Sequence, residues 1–125
     1  MHRRPAGSCP PESDLFEDFF HDVPQDVIDE AIRRGDPPQS GTPMTEPWPL
    51  AAWPDVPTQV LTSLDDRFFP AEFQRRVAYQ RLGITPDEMP GGHLVALSRP
   101  AELTDRLEAY VAGLAAHRAD SRRRV

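Results

Sequence analysis

Proline sets the first limit on this chain. There are 15 of them in 125 residues, most ahead of Pro57. Between residues 36 and 55 they come as Pro-Pro, Gly-Thr-Pro, Glu-Pro-Trp-Pro and Trp-Pro-Asp. Each removes a backbone donor, fixes φ and biases its predecessor away from helix, so neither helix nor sheet can run through that segment. Regular structure has to be built on either side of it. Trp48, Leu50 and Trp53 read as anchors that pin the segment onto a core, and a PxxP ligand for a recognition domain is the other reading of the same residues.

The chain is long enough for one small domain, and its hydrophobic share of 38% is low for a globule of this size. A formal net charge of −6 argues against nucleic acid as a general partner. Cys9 is the only cysteine, which leaves no disulfide framework and no cysteine-based zinc site. His2, His21 and His117 have no metal-ligand spacing to one another or to His93, so no metal is assigned. Two arginines near the start are not followed by an apolar stretch, and no apolar run approaches the ~20 residues a membrane span needs. The expected location is the cytoplasm, with no membrane partner.

Residues 24–34 read as a helix, with Pro24 at its start, Asp26 in the first turn, Arg33 and Arg34 in the last and Gly35 beyond. Ahead of it, Leu15, Phe16, Phe19 and Phe20 form an aromatic cluster that needs something to pack against. Residues 58–63 are a β-prone run, 70–82 read as a helix stopped by Gly83, and 84–89 as a second strand interrupted early by Pro86. In the second helix Phe73, Val77, Ala78 and Leu82 are expected on the inner side. Pro100 opens a last helix whose Leu103, Leu107, Tyr110, Val111 and Leu114 form the clearest amphipathic stripe in the sequence. Strand, helix, strand, helix is the rhythm of a parallel α/β sheet.

Two features in that half carry chemistry. Asp65 and Asp66 follow the first strand, where functional groups gather in an open α/β sheet. His93 sits after Gly91 and Gly92, which allow a tight turn and a close approach of the ring to a neighbouring loop. A carboxylate can accept a hydrogen bond from one ring nitrogen, fix the tautomer and stabilise the imidazolium. The other nitrogen can then take a proton from a nucleophile and return it to a leaving group. Adjacent residues leaving a strand point different ways, so only one of Asp65 and Asp66 can face His93.

The order acid, then histidine, resembles the C-terminal part of α/β-hydrolase fold proteins, in the group of small bacterial esterase-like hydrolases. The residues that carry the resemblance are Phe19-Phe20-His21-Asp22-Val23-Pro24, Glu46-Pro47-Trp48-Pro49-Leu50, Trp53-Pro54-Asp55-Val56-Pro57-Thr58, Asp65-Asp66-Arg67-Phe68-Phe69-Pro70 and Gly91-Gly92-His93-Leu94-Val95-Ala96-Leu97-Ser98. In that family the acid lies four residues ahead of a proline, which selects Asp66, and the histidine after the glycine pair is the base, which selects His93. Ser63 stands where a glycine is usual. The resemblance also implies that residues 19–56 are a cap remnant and connector. The hydrolase portion is then 57–117, between a disordered start at 1–18 and a basic tail at 118–125.

The family's nucleophile, a serine on a Gly-x-Ser-x-Gly elbow, appears nowhere in these residues. Gly7-Ser8-Cys9 lacks the flanking strand and helix, and Ser98 is too close to His93 along the chain to meet it from a helix start. The expectation is therefore the C-terminal portion of an ester- or amide-cleaving hydrolase of α/β class. It holds about two parallel strands, carries the triad acid and base, uses no cofactor and is inactive alone. Its partners are then a small ester or amide substrate and a complementary N-terminal half or a second copy. The alternative is a non-catalytic module that associates through its open sheet edge.

Overall fold

The computed structural model describes residues 12–123. Helices α1 (Glu12–Phe20) and α2 (Gln25–Arg34) come first, followed by a single helical turn, α3 (Thr42–Thr45). Strand β1 (Leu61–Ser63), helix α4 (Ala71–Leu82) and strand β2 (Asp87–Met89) make a β-α-β unit. The short α5 (Val95–Ser98) and the long α6 (Pro100–Arg123) close the chain. The two strands pair in parallel, Leu61 opposite Asp87, Thr62 opposite Glu88 and Ser63 opposite Met89.

Local chemistry explains most of these boundaries. Pro24 and Pro70 precede α2 and α4 with extended backbone, as suits residues that have no N–H to leave unpaired. Gly83 ends α4 in the left-handed conformation, at φ 67°, and its N–H closes on the Tyr79 carbonyl. On the exposed face of α2, Glu30 takes hydrogen bonds from both Arg33 and Arg34, which hold its carboxyl below the usual glutamate range. Arg75 of α4 reaches the Glu88 carboxylate of β2, and this bond holds Glu88 low and Arg75 high.

The core is small. Its buried apolar residues are Val23, Ile28, Ala78 and Met89, and Thr62 and Met89 are fully enclosed. Helix α4 lies against β1, and α6 meets the fold through α5. The hydroxyl of Tyr110, on α6, donates to Asp87 at the head of β2 at 2.8 Å. Loss of solvent around the phenol, with the Asp87 carboxylate beside it, raises the Tyr110 hydroxyl above its ordinary value.

Several expectations need correction. Residues 12–18 belong to α1 rather than to a disordered start, while 1–11, with His2 and Cys9, lie outside the described residues. The first strand begins at Leu61, because its partner is only three residues long and Pro86 stops β2 from extending backward. Residues 118–123 are the end of α6 rather than a tail, and the connector does contain the turn α3.

The expected anchors also stay outside. Trp48 and Trp53 are 64% and 51% exposed and stack on each other at 6.2 Å instead of entering the core. Phe73 and Val77 are likewise exposed, and α4 turns Ala71, Gln74, Ala78 and Leu82 inward. On α6, Leu103 and Tyr110 are half-buried, but Leu107, Val111 and Leu114 face outward. No helix among the described residues is long and apolar enough to cross a membrane.

Candidate active site

The site is built where the carboxyl ends of both strands meet the turn between α1 and α2. Backbone bonds continue the ladder past the strands, from Leu64 N to the Met89 carbonyl at 2.9 Å and from Asp65 N to the Gly91 carbonyl at 3.0 Å. The two loops therefore leave the sheet side by side. Asp66 and His93 face each other across them, with His93 Nδ1 3.0 Å from Asp66 Oδ2.

Asp66 is tightly held. Its Oδ1 accepts the N–H groups of Phe68 at 2.9 Å and Phe69 at 2.8 Å, and its Oδ2 accepts the Gln74 amide at 3.2 Å. An aspartate bonding the amides two and three residues ahead is a local turn that needs no help from the rest of the fold. Gln74 adds a bond from α4 and also bonds the Phe69 carbonyl, at 2.6 Å. These bonds fix the plane of a carboxylate whose side chain is only 6% exposed.

That geometry decides the tautomer. A carboxylate only accepts, so Nδ1 of a neutral His93 carries the proton and Nε2 keeps its lone pair. The imidazole is 19% exposed, buried enough to be oriented and open enough to be reached. Three phenylalanines surround it at angles near edge-to-face: Phe19 at 4.3 Å between ring centres, Phe68 at 5.2 Å and Phe69 at 5.5 Å. Of the aromatic residues of α1, Phe19 packs on the histidine and on Phe68, while Phe16 and Phe20 stack on each other.

The two glycines before His93 are used in different ways. Gly91 has φ 131°, where side-chain-bearing residues rarely sit, and a Cβ there would lie 2.8 Å from Val95 Cγ2. A Cβ on Gly92 would fall 2.5 Å from Asp22 Oδ1 and 2.6 Å from His21 Cε1. Removing the side chains lets the α1–α2 turn close directly on the loop backbone.

Asp65 and Asp66 divide the work. The Asp65 carboxylate accepts the Gly91 N–H at 2.9 Å, while Asp66 accepts from His93. Asp22, seventy residues before Gly92, accepts the Gly92 N–H at 2.7 Å. Gly91, Gly92 and His93 therefore each donate one hydrogen bond, to three different aspartates. Bonds to a charged partner are worth about 1.5–3 kcal/mol each when shielded from solvent. Asp22 was not singled out as a site residue in the sequence, although it lies in the Phe-His-Asp-Val-Pro stretch that carried the resemblance. The one local signal is a carboxylate directly before a buried Val23 and a helix-starting proline.

The arrangement can accept a proton at Nε2 and hold the resulting imidazolium against a carboxylate. Comparison with known proteins bears on what it is part of. A family model described as the alpha/beta hydrolase family matches residues 2–106. No curated protein and no solved structure matches the chain. The family match covers most of the sequence, and the parallel β-α-β unit agrees with it: this chain belongs to the alpha/beta hydrolase family.

Proposed function

We propose that this chain supplies the acid and base of an acyl-transfer triad acting on small esters or amides. The nucleophile and oxyanion-binding groups come from outside these 125 residues. The observation that carries the reading is the His93–Asp66 pair at 3.0 Å, with Nδ1 committed to the carboxylate and Nε2 left to act. In such a reaction Nε2 takes the proton of a serine hydroxyl as its oxygen attacks the substrate carbonyl. The imidazolium returns that proton to the departing alkoxide or amine. Water then attacks the acyl-enzyme by the same exchange, with Asp66 accepting from Nδ1 at each step.

These residues hold no Gly-x-Ser-x-Gly sequence, so the chain alone is expected to be inactive. The test is reconstitution. The full chain is mixed with a polypeptide carrying the remaining sheet and a serine elbow from an alpha/beta hydrolase, and release of p-nitrophenol from a short-chain ester is followed. Activity that appears on mixing and vanishes with His93→Ala supports the proposal. Restored activity indifferent to His93→Ala contradicts it.

A second reading is favoured by one specific observation. Val60 O and Leu64 N bond toward β2, so by strand alternation the backbone groups of Leu61 and Ser63 point to the opposite edge. No strand among the described residues pairs there. A non-catalytic module that associates through this edge predicts stable complex formation that His93→Ala leaves untouched.

A further inference from the structure

We infer that Asp22 is a positioning residue for His93, through the backbone of Gly92. The inference rests on the proposed role of His93 as base and extends it to a part of the chain that carries neither strand. Two soft points threaten the geometry of the pair. Gly91 and Gly92 have no side chains to restrict them, and a Gly-Gly segment samples far more backbone states than any other pair. A base must nonetheless be held within a fraction of an ångström of its working position.

The structure removes that freedom one residue at a time. Asp65 holds the Gly91 N–H and Asp22 holds the Gly92 N–H, at 2.9 and 2.7 Å. Asp22 is the tie next to His93 along the chain, and it comes from the α1–α2 turn, whereas Asp65 comes from the loop after β1. The same turn delivers Phe19 onto the imidazole at 4.3 Å, so residues 19–22 grip both the ring and the backbone beside it. The other Asp22 oxygen and His21 Nδ1 are buried with no hydrogen-bond partner among the described residues. Such a carboxylate is costly to bury merely to dock the α1–α2 turn, and the Gly92 N–H is the contact it makes. Arg67 ties α1 to the Asp66 loop through Glu17 at 3.1 Å, which braces the same junction from the surface. The segment over the site and the orientation of the base are thus one mechanical unit.

The test reads His93 without needing turnover. Long-range proton–nitrogen NMR of the full chain gives the fraction of His93 protonated at Nδ1, and amide exchange gives the protection of Gly92. Asp22→Ala is expected to lose both the Gly92 protection and the Nδ1–H preference while amides of α4 and β2 stay protected. Asp22→Asn keeps an oxygen acceptor and is expected to restore both. An Asp22→Ala chain with its Nδ1–H preference intact overturns the inference. If that variant does not fold, urea titration of the unaltered chain decides. Simultaneous loss of the Gly92 amide and the Nδ1–H signal supports the inference, and an Nδ1–H signal that outlasts the Gly92 amide overturns it. The reconstituted esterase assay fails or succeeds independently: it judges the base, whereas the Asp22 variants judge what aims it.

Discussion

The loop that carries His93 and the helix that follows it use their residues in opposite ways. Between Met89 and His93, three residues are buried, the Gly91 and Gly92 N–H groups and the His93 ring Nδ1 each bond an aspartate, and Asp66 alone gathers four hydrogen bonds. From 111 to 120 on α6, every residue is exposed, apolar ones included, with Val111 at 67%. The first region finds its partners within the chain, in its own turn, in the neighbouring strand loop and in the turn between α1 and α2. The second has the apolar spacing of a packed helix and nothing in the described residues to pack on. What organises the described residues is the polar site, while the apolar stripe of α6 stays exposed.

That contrast can be broken by substitution. Met89→Ala removes a fully enclosed side chain under the site and should cost about 2–5 kcal/mol, enough to unfold a small chain. Val111→Ser, on the exposed stripe, should stay within about 0.5 kcal/mol. Urea denaturation followed by circular dichroism compares them directly. Equal effects would mean that α6 is packed in solution and that the contrast is false.

Gly92→Ala comes next. The added methyl meets Asp22 and His21 at under 3 Å, and overpacking of this kind costs about 1–3 kcal/mol. Its distinguishing sign is a loss of the Phe19–His93 contact, seen as a change in ring-current shifts of the imidazole protons.

Tyr110→Phe sharpens the comparison from the other side, since this hydroxyl is one of the ties between α6 and the sheet. Its loss should cost about 1 kcal/mol or less. Because the folded hydroxyl titrates higher than the unfolded one, its contribution is full below the ordinary tyrosine range and disappears as pH rises through the raised value. The difference between wild type and Tyr110→Phe should therefore shrink in strong alkali.

The smallest effect belongs to the exposed pair Arg75–Glu88. Glu88 titrates lower when folded, so its contribution is present above the ordinary glutamate range and is lost as pH falls through the lowered value. Glu88→Gln should lower the urea midpoint slightly at neutral pH and leave it unchanged in acid. High salt should reduce the effect at neutral pH as well.

The legible parts of this molecule are those whose causes lie close together in sequence. Pro24, Gly35, Pro70 and Gly83 bracket two helices to within a residue, since capping acts over one turn. The choice between Asp65 and Asp66 was not open to spacing alone. It depends on a turn in which Asp66 bonds Phe68 and Phe69 and so aims its other oxygen at the histidine. Asp22 was out of reach for a different reason: its partner is a backbone N–H seventy residues away, which leaves no side-chain pattern to read. Trp48, Trp53 and the α6 stripe misled in the same direction. Apolar spacing reports that a surface can be covered, and the cover need not lie in the same stretch of chain.

An acid–base pair oriented by these residues alone must show itself in the imidazole. The most direct measurement is the tautomer of His93 in the isolated chain, read from its two ring-nitrogen shifts at a pH where the imidazole is neutral. The expected result is the proton on Nδ1, a bare Nε2, and loss of that preference in Asp66→Asn. A proton resting on Nε2, as in free histidine, with no response to Asp66→Asn, would contradict it.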